Sequence, residues 1–393
     1  MYNIHSTKKF LRRRMLYLSC VILTGMNSAC HKSNDHNNNN NTDLQGFQQV
    51  NLVANQALYG AKLTDTTLKN AWGLTFSSSG IAWVNSQAGH SSELYTAEGG
   101  RVRPAVNIPS PADTIGGNPT GIVLSDGKGF KLPNGQGSLF LFVGVDGILS
   151  GWNAAAGNRA LVIKNNSATA VYTGLAIASS GGANYIYAAN FKTAKIDVWD
   201  TTFATVPMPF RDPGLPAGYA PFNIQAVGSS LFVMYAKVGP DGDDAKGVGN
   251  GFVDIFGTDG SFIKRFASQG TLNAPWGVAQ TPAGFIHSND MNGYGKKAAT
   301  VNNTGNGYSQ GYGDTSSQPA ILVGNFGDGR INVFTLAGQY LGQLQSANKT
   351  IVIDGLWTLS FPPSTAPTID PNRLYFSAGP DDEKDGLFGY LSK

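Results

Sequence analysis

Apolar and polar residues alternate with period two in Lys195-Ile196-Asp197-Val198-Trp199, Phe252-Val253-Asp254-Ile255-Phe256 and Arg330-Ile331-Asn332-Val333-Phe334. This is the pattern of half-buried β-strands. A more continuous apolar run precedes each, at 185–191, 231–236 and 321–326, and similar runs stand at 81–85, 139–144 and 374–378. Ahead of every run lies a short segment in which a small or turn residue, an aromatic or Thr, and often Gly lead into an apolar strand. These segments are Ala71-Trp72-Gly73-Leu74, Pro119-Thr120-Gly121-Ile122, Tyr172-Thr173-Gly174-Leu175, Pro221-Phe222-Asn223-Ile224, Pro275-Trp276-Gly277-Val278 and Leu356-Trp357-Thr358-Leu359.

The three-strand unit therefore recurs about every 50 residues, with one spacing longer by about 30. The extra length is the tract 289–318, rich in Gly, Asn, Ser and Tyr, which reads as an inserted loop. Small antiparallel meanders at this period, with room for a fourth strand each, predict an all-β, six-bladed β-propeller. Too few residues follow Trp357 to complete the last unit. Val50-Asn51-Leu52-Val53 is expected to supply the missing strand by pairing with 386–391, so that the N-terminal strand closes the last blade and covers its edge.

Composition agrees with this reading. The chain has 50 glycines in 393 residues, 13% charged residues and 11% aromatic residues, which excludes a coiled coil, a helical bundle and an acidic disordered chain. Lys8, Lys9, Arg12, Arg13 and Arg14 lie in a leader without Asp or Glu, and removing these five turns the formal net charge of +3 into −2. The domain therefore offers no basic excess to nucleic acid.

The five cations, the apolar run Met15 to Leu23 and the small residues before Cys30 have the layout of a secretory signal over 1–29. Small residues before Cys30 resemble a bacterial lipobox, although Asn27 stands where an aliphatic residue is usual. Lipidation of Cys30 is expected; plain cleavage near Ala29, or twin-arginine export through Arg12-Arg13-Arg14, are the alternatives. Residues 30–46, with the run Asn37 to Asn41, read as a tether, and 47–393 as the propeller domain. Cys20 leaves with the leader, so the domain holds no cysteine for a disulfide, a zinc-thiolate site or a thiol nucleophile. The expected location is that of an exported bacterial lipoprotein, in the periplasm or at the outer membrane or cell surface.

Pro275-Trp276-Gly277-Val278, the segment 322–334 and the segment 378–389 resemble a family of uncharacterised secreted bacterial propeller proteins, some of which carry a PEP-CTERM sorting tail. The Gly327-Asp328-Gly329-Arg330-Ile331 turn and strand also resemble NHL repeats. The resemblance spans about residues 47 to 393 and implies a propeller fold and export, with no established activity. This chain lacks the tail and differs in its leader and its inserted loop.

Chemistry is sparse. His90 and His287 are the domain's only histidines, and neither lies in a nucleophile motif. Asn85, Asn190 and Asn325 fall at one position, the end of the second strand, with Asp146 within one residue of it. Equivalent positions of successive blades face one mouth, so these oxygens are candidate channel-mouth polar groups and candidate ligands of Ca²⁺. The competing reading is that they make turns with their own backbone.

Asp197, Asp254 and Asn332 repeat within the third strands; Asp241 to Asp244 and Asp381 to Asp385 read as solvated acidic loops, with Ca²⁺ binding as the alternative, although neither has full EF-hand spacing. Trp72, Phe222, Trp276 and Trp357 are read as packing between blades. Two functions compete. One is a monomeric, envelope-anchored binding scaffold for a protein, peptide or glycan, with Tyr294, Tyr308 and Tyr312 of the inserted loop as contact residues. The alternative is a Ca²⁺-dependent hydrolase of the lactonase or esterase kind, with its site at the propeller channel.

Overall fold

The computed structural model describes residues 44–127, 129–286 and 319–393. Cys30, the leader, His287, Tyr294, Tyr308 and Tyr312 lie outside the described residues.

Period-two runs of β-branched and aromatic residues bury both faces when sheets stack side by side, and the six repeats do this. Blade I comprises Ala71–Phe76, Ala82–Ser86, Ser91–Tyr95 and Val106–Asn107. Blade II comprises Pro119–Leu124, Phe140–Gly144, Ile148–Trp152 and Leu161–Asn165. Blade III has three strands, Tyr172–Ser180, Ala183–Asn190 and Lys195–Asp200. The stretch that would carry its fourth contains Pro207, Pro209, Pro213 and Pro216, and proline cannot donate to a ladder.

Blade IV comprises Tyr219–Val227, Ser230–Lys237, Gly251–Phe256 and Phe262–Ser268. Blade V comprises Pro275–Gln280, Ala320–Asn325, Ile331–Thr335 and Tyr340–Gln343. Blade VI comprises Leu356–Ser360, Leu374–Ala378 and Leu387–Ser392, completed by Gln48–Ala54 and Leu63–Thr64. The first strand of each blade is innermost and packs against its neighbour, blade VI returning to blade I.

Closure follows the expected register. Gln48 pairs with Ser392 and Ala54 with Leu387 in an antiparallel ladder. Asn55 reinforces it, donating Nδ2 to Asp385 Oδ1 at 2.8 Å and accepting from Gly386 N at 2.9 Å. Leu44, which the sequence reading places in the tether, is buried against Leu344, and its carbonyl accepts from Gln345 N at 2.8 Å.

Antiparallel order fixes the two faces of the ring. Inner strands begin, and second strands end, on one face, here the throat face; inner strands end on the other, the open face. Gln48 and the flanks of the insertion, Gln280 and Ala320, lie at the open face, whereas Asn85, Asp146, Asn190 and Asn325 lie at the throat face.

Candidate functional site

Each inner strand carries a register shift at the same place, between Ala71 and Leu74, Pro119 and Ile122, Tyr172 and Gly174, Pro221 and Asn223, Pro275 and Gly277, and Leu356 and Leu359. A bulge re-aims the local side chain. In four blades the residue at the shift is aromatic, and Trp72, Phe222, Trp276 and Trp357 form one buried cluster with Phe191 and Phe326. Trp357 is sandwiched between Trp72, with ring centroids 3.6 Å apart, and Phe326, at 3.8 Å. Phe222 and Trp276 meet Trp357 at 5.8 and 5.9 Å. These aromatics pack between blades, as expected from the sequence; drawn from four blades, they meet one another and plug the throat.

Around the plug neighbouring blades are tied to one another. Asn85 Nδ2 donates to Thr120 O at 3.0 Å, Thr120 Oγ1 to Tyr172 O at 2.7 Å, Asn223 Nδ2 to Trp276 O at 2.8 Å and Thr358 Oγ1 to Trp72 O at 2.8 Å. Glycine permits the approach. A Cβ on Gly73 would stand 2.1 Å from Thr120 O, and one on Gly277 2.5 Å from Trp357 O. Trp276 Nε1 donates across to Thr173 O at 3.0 Å and Trp357 Nε1 to Asn70 Oδ1 at 2.9 Å, whereas Trp72 Nε1 is buried without a partner.

Behind the plug lies a well of about 260 Å³ along the axis, with Trp276 among its walls. Its lining comes mainly from inner-strand residues of blades I, II, III, IV and VI and includes no Asp, Glu, His, Lys, Arg, Cys or Tyr. Thr75, Gln225 and Ser360 supply its half-buried polar side chains toward the open face.

The four sequence candidates stand at the throat face but share no hydrogen-bond partner. Asn190 Oδ1 accepts from Val171 N at 3.3 Å, and its Nδ2 donates to Asp197 at 2.9 Å. Asn325 Oδ1 accepts from Asn273 N at 3.1 Å, and its Nδ2 donates to Thr271 O at 2.8 Å. Asp146 accepts from Asn118 N at 2.9 Å and Ile148 N at 3.3 Å. Burial raises Asp146 above the ordinary carboxylate range, while those two N–H groups and nearby His90 act the other way. Only Asn85 has a side-chain oxygen without a partner. Three of the four oxygen donors that Ca²⁺ would draw on are thus already engaged by backbone N–H groups, a poor fit to a metal centre.

Among the described residues no three His, Cys, Asp or Glu side chains stand together as a metal-holding group. His90 Nδ1 lies 2.9 Å from Gly117 O. In the third strands, Asp197 accepts from Tyr172 and Asn190, Arg265 Nε donates to Asp254 at 2.6 Å, and Asn332 accepts from Gln343 at 3.0 Å.

Sequence reasoning missed a meeting of loops at the throat face. Asn70, in the left-handed region at φ 43°, donates to Glu383 Oε2 at 2.8 Å while receiving the Trp357 indole N–H. Burial and the charge of Asp243 raise both Glu383 and Asp244, the latter to about 7. Lys246 lies over the Phe326 ring at 4.3 Å. The acidic loops of blades IV and VI thus act on one another beside the plug. No repeat announces this, because each contributing residue belongs to a different loop.

Six small sheets in a ring around a tryptophan-plugged throat define the class, a six-bladed β-propeller. The chain belongs to the family of uncharacterized protein L690 of Acanthamoeba polyphaga mimivirus, being 31% identical to it over 359 residues, 87% of this chain and 84% of the viral protein. Uncharacterized protein R648 of the same virus is 28% identical over 360 residues, 88% of this chain and 80% of that one. No family model matches. Among solved structures, a streptogramin B lyase has a TM-score of 0.48 at 12% identity, covering 88% of this chain and 97% of that one. Virginiamycin B lyase from Staphylococcus aureus has a TM-score of 0.42 at 11% identity, covering 88% and 99%.

Proposed function

We propose that this chain is a monomeric propeller-type binding module, exported and held at the bacterial cell envelope by a lipid on Cys30, that presents its surface to a protein, peptide or glycan ligand. The placement rests on the leader and tether alone. The binding reading rests on one observation above the rest: the axial well is lined without a single acid, base or nucleophilic thiol. General acid–base chemistry needs such a group within hydrogen-bond reach of the reacting atom. The polar residues nearest the throat spend their hydrogen bonds on holding blades together.

The test is the metal content and melting of the full chain after dialysis with Ca²⁺ or chelator, run beside a lactone and ester screen and a glycan and peptide array. A binding module melts alike in both buffers and captures array ligands without turnover. About one Ca²⁺ per chain, with hydrolysis lost in Asp146→Ala, replaces this reading by the hydrolase. Labelled fatty acid incorporated by the wild type and not by Cys30→Ala tests the anchor.

A further inference from the structure

The well has a chemistry of its own. Inner strands are the free edges of their blades, so alternate residues direct backbone N–H and C=O groups toward the axis with no strand to pair them. Side chains add selectivity at one level, the fifth residue of each inner motif. That residue is Thr75 in blade I, Gln225 in blade IV and Ser360 in blade VI, but Val123, Ala176 and Ala279 in blades II, III and V.

Blades I and IV are opposite one another in a ring of six, and Thr75 and Gln225 both line the well. Neither side chain forms a hydrogen bond with another described residue. Ser360 donates to Phe361 O at 3.2 Å and keeps its lone pairs for a donor. Phe76, Ile122, Ile177 and Trp276 add apolar surface to the lining. At about 260 Å³ the space falls just short of the ~300 Å³ at which sites for drug-sized ligands begin.

A charged ligand would lose its hydration here and meet no counter-charge, a heavy cost. A purely apolar one would leave the strand edges and Gln225 unpaired. A small, uncharged ring carrying hydroxyls on its edge and C–H groups on its faces satisfies both. We propose that the well binds a single uncharged pyranose unit, the terminal sugar of a glycan. This rests on the binding-module reading and names its ligand class.

The experiment is calorimetric titration of the full chain with glucose, galactose, mannose and N-acetylglucosamine, with glucuronic acid as the charged counterpart, beside the glycan and peptide array. At least one neutral sugar should bind saturably in the millimolar range and the uronic acid at least tenfold more weakly. Gln225→Ala and Thr75→Val should each weaken binding by roughly two- to tenfold, the reach of one neutral hydrogen bond. Ala226→Trp, at an exposed position on the rim, should block it with unchanged melting.

Binding that persists in Ala226→Trp, or no neutral sugar bound up to roughly 50 mM, far weaker than useful recognition, overturns the assignment. If array ligands are still captured when the sugars fail, the module reading stands and the well is not its site. A blank array as well overturns both.

Discussion

Trp357 of the last blade stacks on Trp72 of the first with ring centroids 3.6 Å apart and planes 12° from parallel. The neighbouring Thr358 hydroxyl donates to the Trp72 carbonyl at 2.8 Å. The seam where the ring must close is therefore held on the axis as well as at the rim. Trp357 also carries Phe326 on its other face, so its truncation empties the middle of the plug. Trp357→Ala should cost about 3–5 kcal/mol, as for other buried tryptophans, and Trp357→Phe clearly less; urea unfolding of both variants measures it.

The rim closure has a separate prediction. Strand Gln48–Ala54 brings Leu52 and Val53 into the core, with Phe47 just before it, all three fully buried. Burying three such side chains contributes about 5–9 kcal/mol, on the scale of the whole stability of a domain, about 5–15 kcal/mol. Removal of residues 44–56 should leave the last blade open. Limited proteolysis should then cut near Leu387–Ser392, a strand protected in the intact chain; a truncated protein with unchanged melting and no new cut would show the N-terminal strand to be dispensable.

Much of this is legible in the sequence alone. Alternation marked the third strands, the near-50-residue period counted the blades, and the shortfall after Trp357 pointed to Val50–Val53 as the closing strand. The meeting of the aromatics in the throat was not legible. A side chain at a strand start points between sheets unless a bulge turns it, and the bulge beside Trp72, Phe222, Trp276 and Trp357 leaves no mark of its own in the motif. The alignment of Asn85, Asn190 and Asn325 was real, but equivalence by repeat does not say whether an amide turns outward to a ligand or inward to a backbone. The acidic loops holding Asp244 and Glu383 stood out by composition, but nothing in the sequence brought them together or joined Asn70 to them, because all three come from unrepeated loops.

Asp244 makes stability depend on pH. Burial first, then the charges of Asp243 and Glu383, push its carboxyl from the ordinary 3.8 up to about 7. A proton is therefore held more tightly in the folded state, a contribution fully present below about pH 4 and lost as the pH rises through about 7. Asp244→Asn removes that loss. The variant should gain on the wild type in melting temperature between pH 5 and pH 8; a constant difference across that range would mean that Asp244 titrates normally in the folded chain.

The throat-face amides separate a latch from a ligand. Asn325 is fully buried and satisfies Asn273 N, Thr271 O and Asp328 at once. Asn325→Ala leaves the buried Asn273 N–H and the part-buried Thr271 carbonyl without this partner and should cost about 2–4 kcal/mol, about 1–3 kcal/mol for the first and about 1 for the second. Asn85→Ala breaks the tie to Thr120 O but also removes a buried oxygen that has no partner; its cost should be the smaller of the two. Urea unfolding of both variants with and without Ca²⁺ gives the answer. If the amides are latches, the order holds and Ca²⁺ changes neither midpoint. If Ca²⁺ stabilises the wild type and that gain disappears in Asn325→Ala, the amide turns to a metal in solution, and the throat face becomes the place to look for turnover.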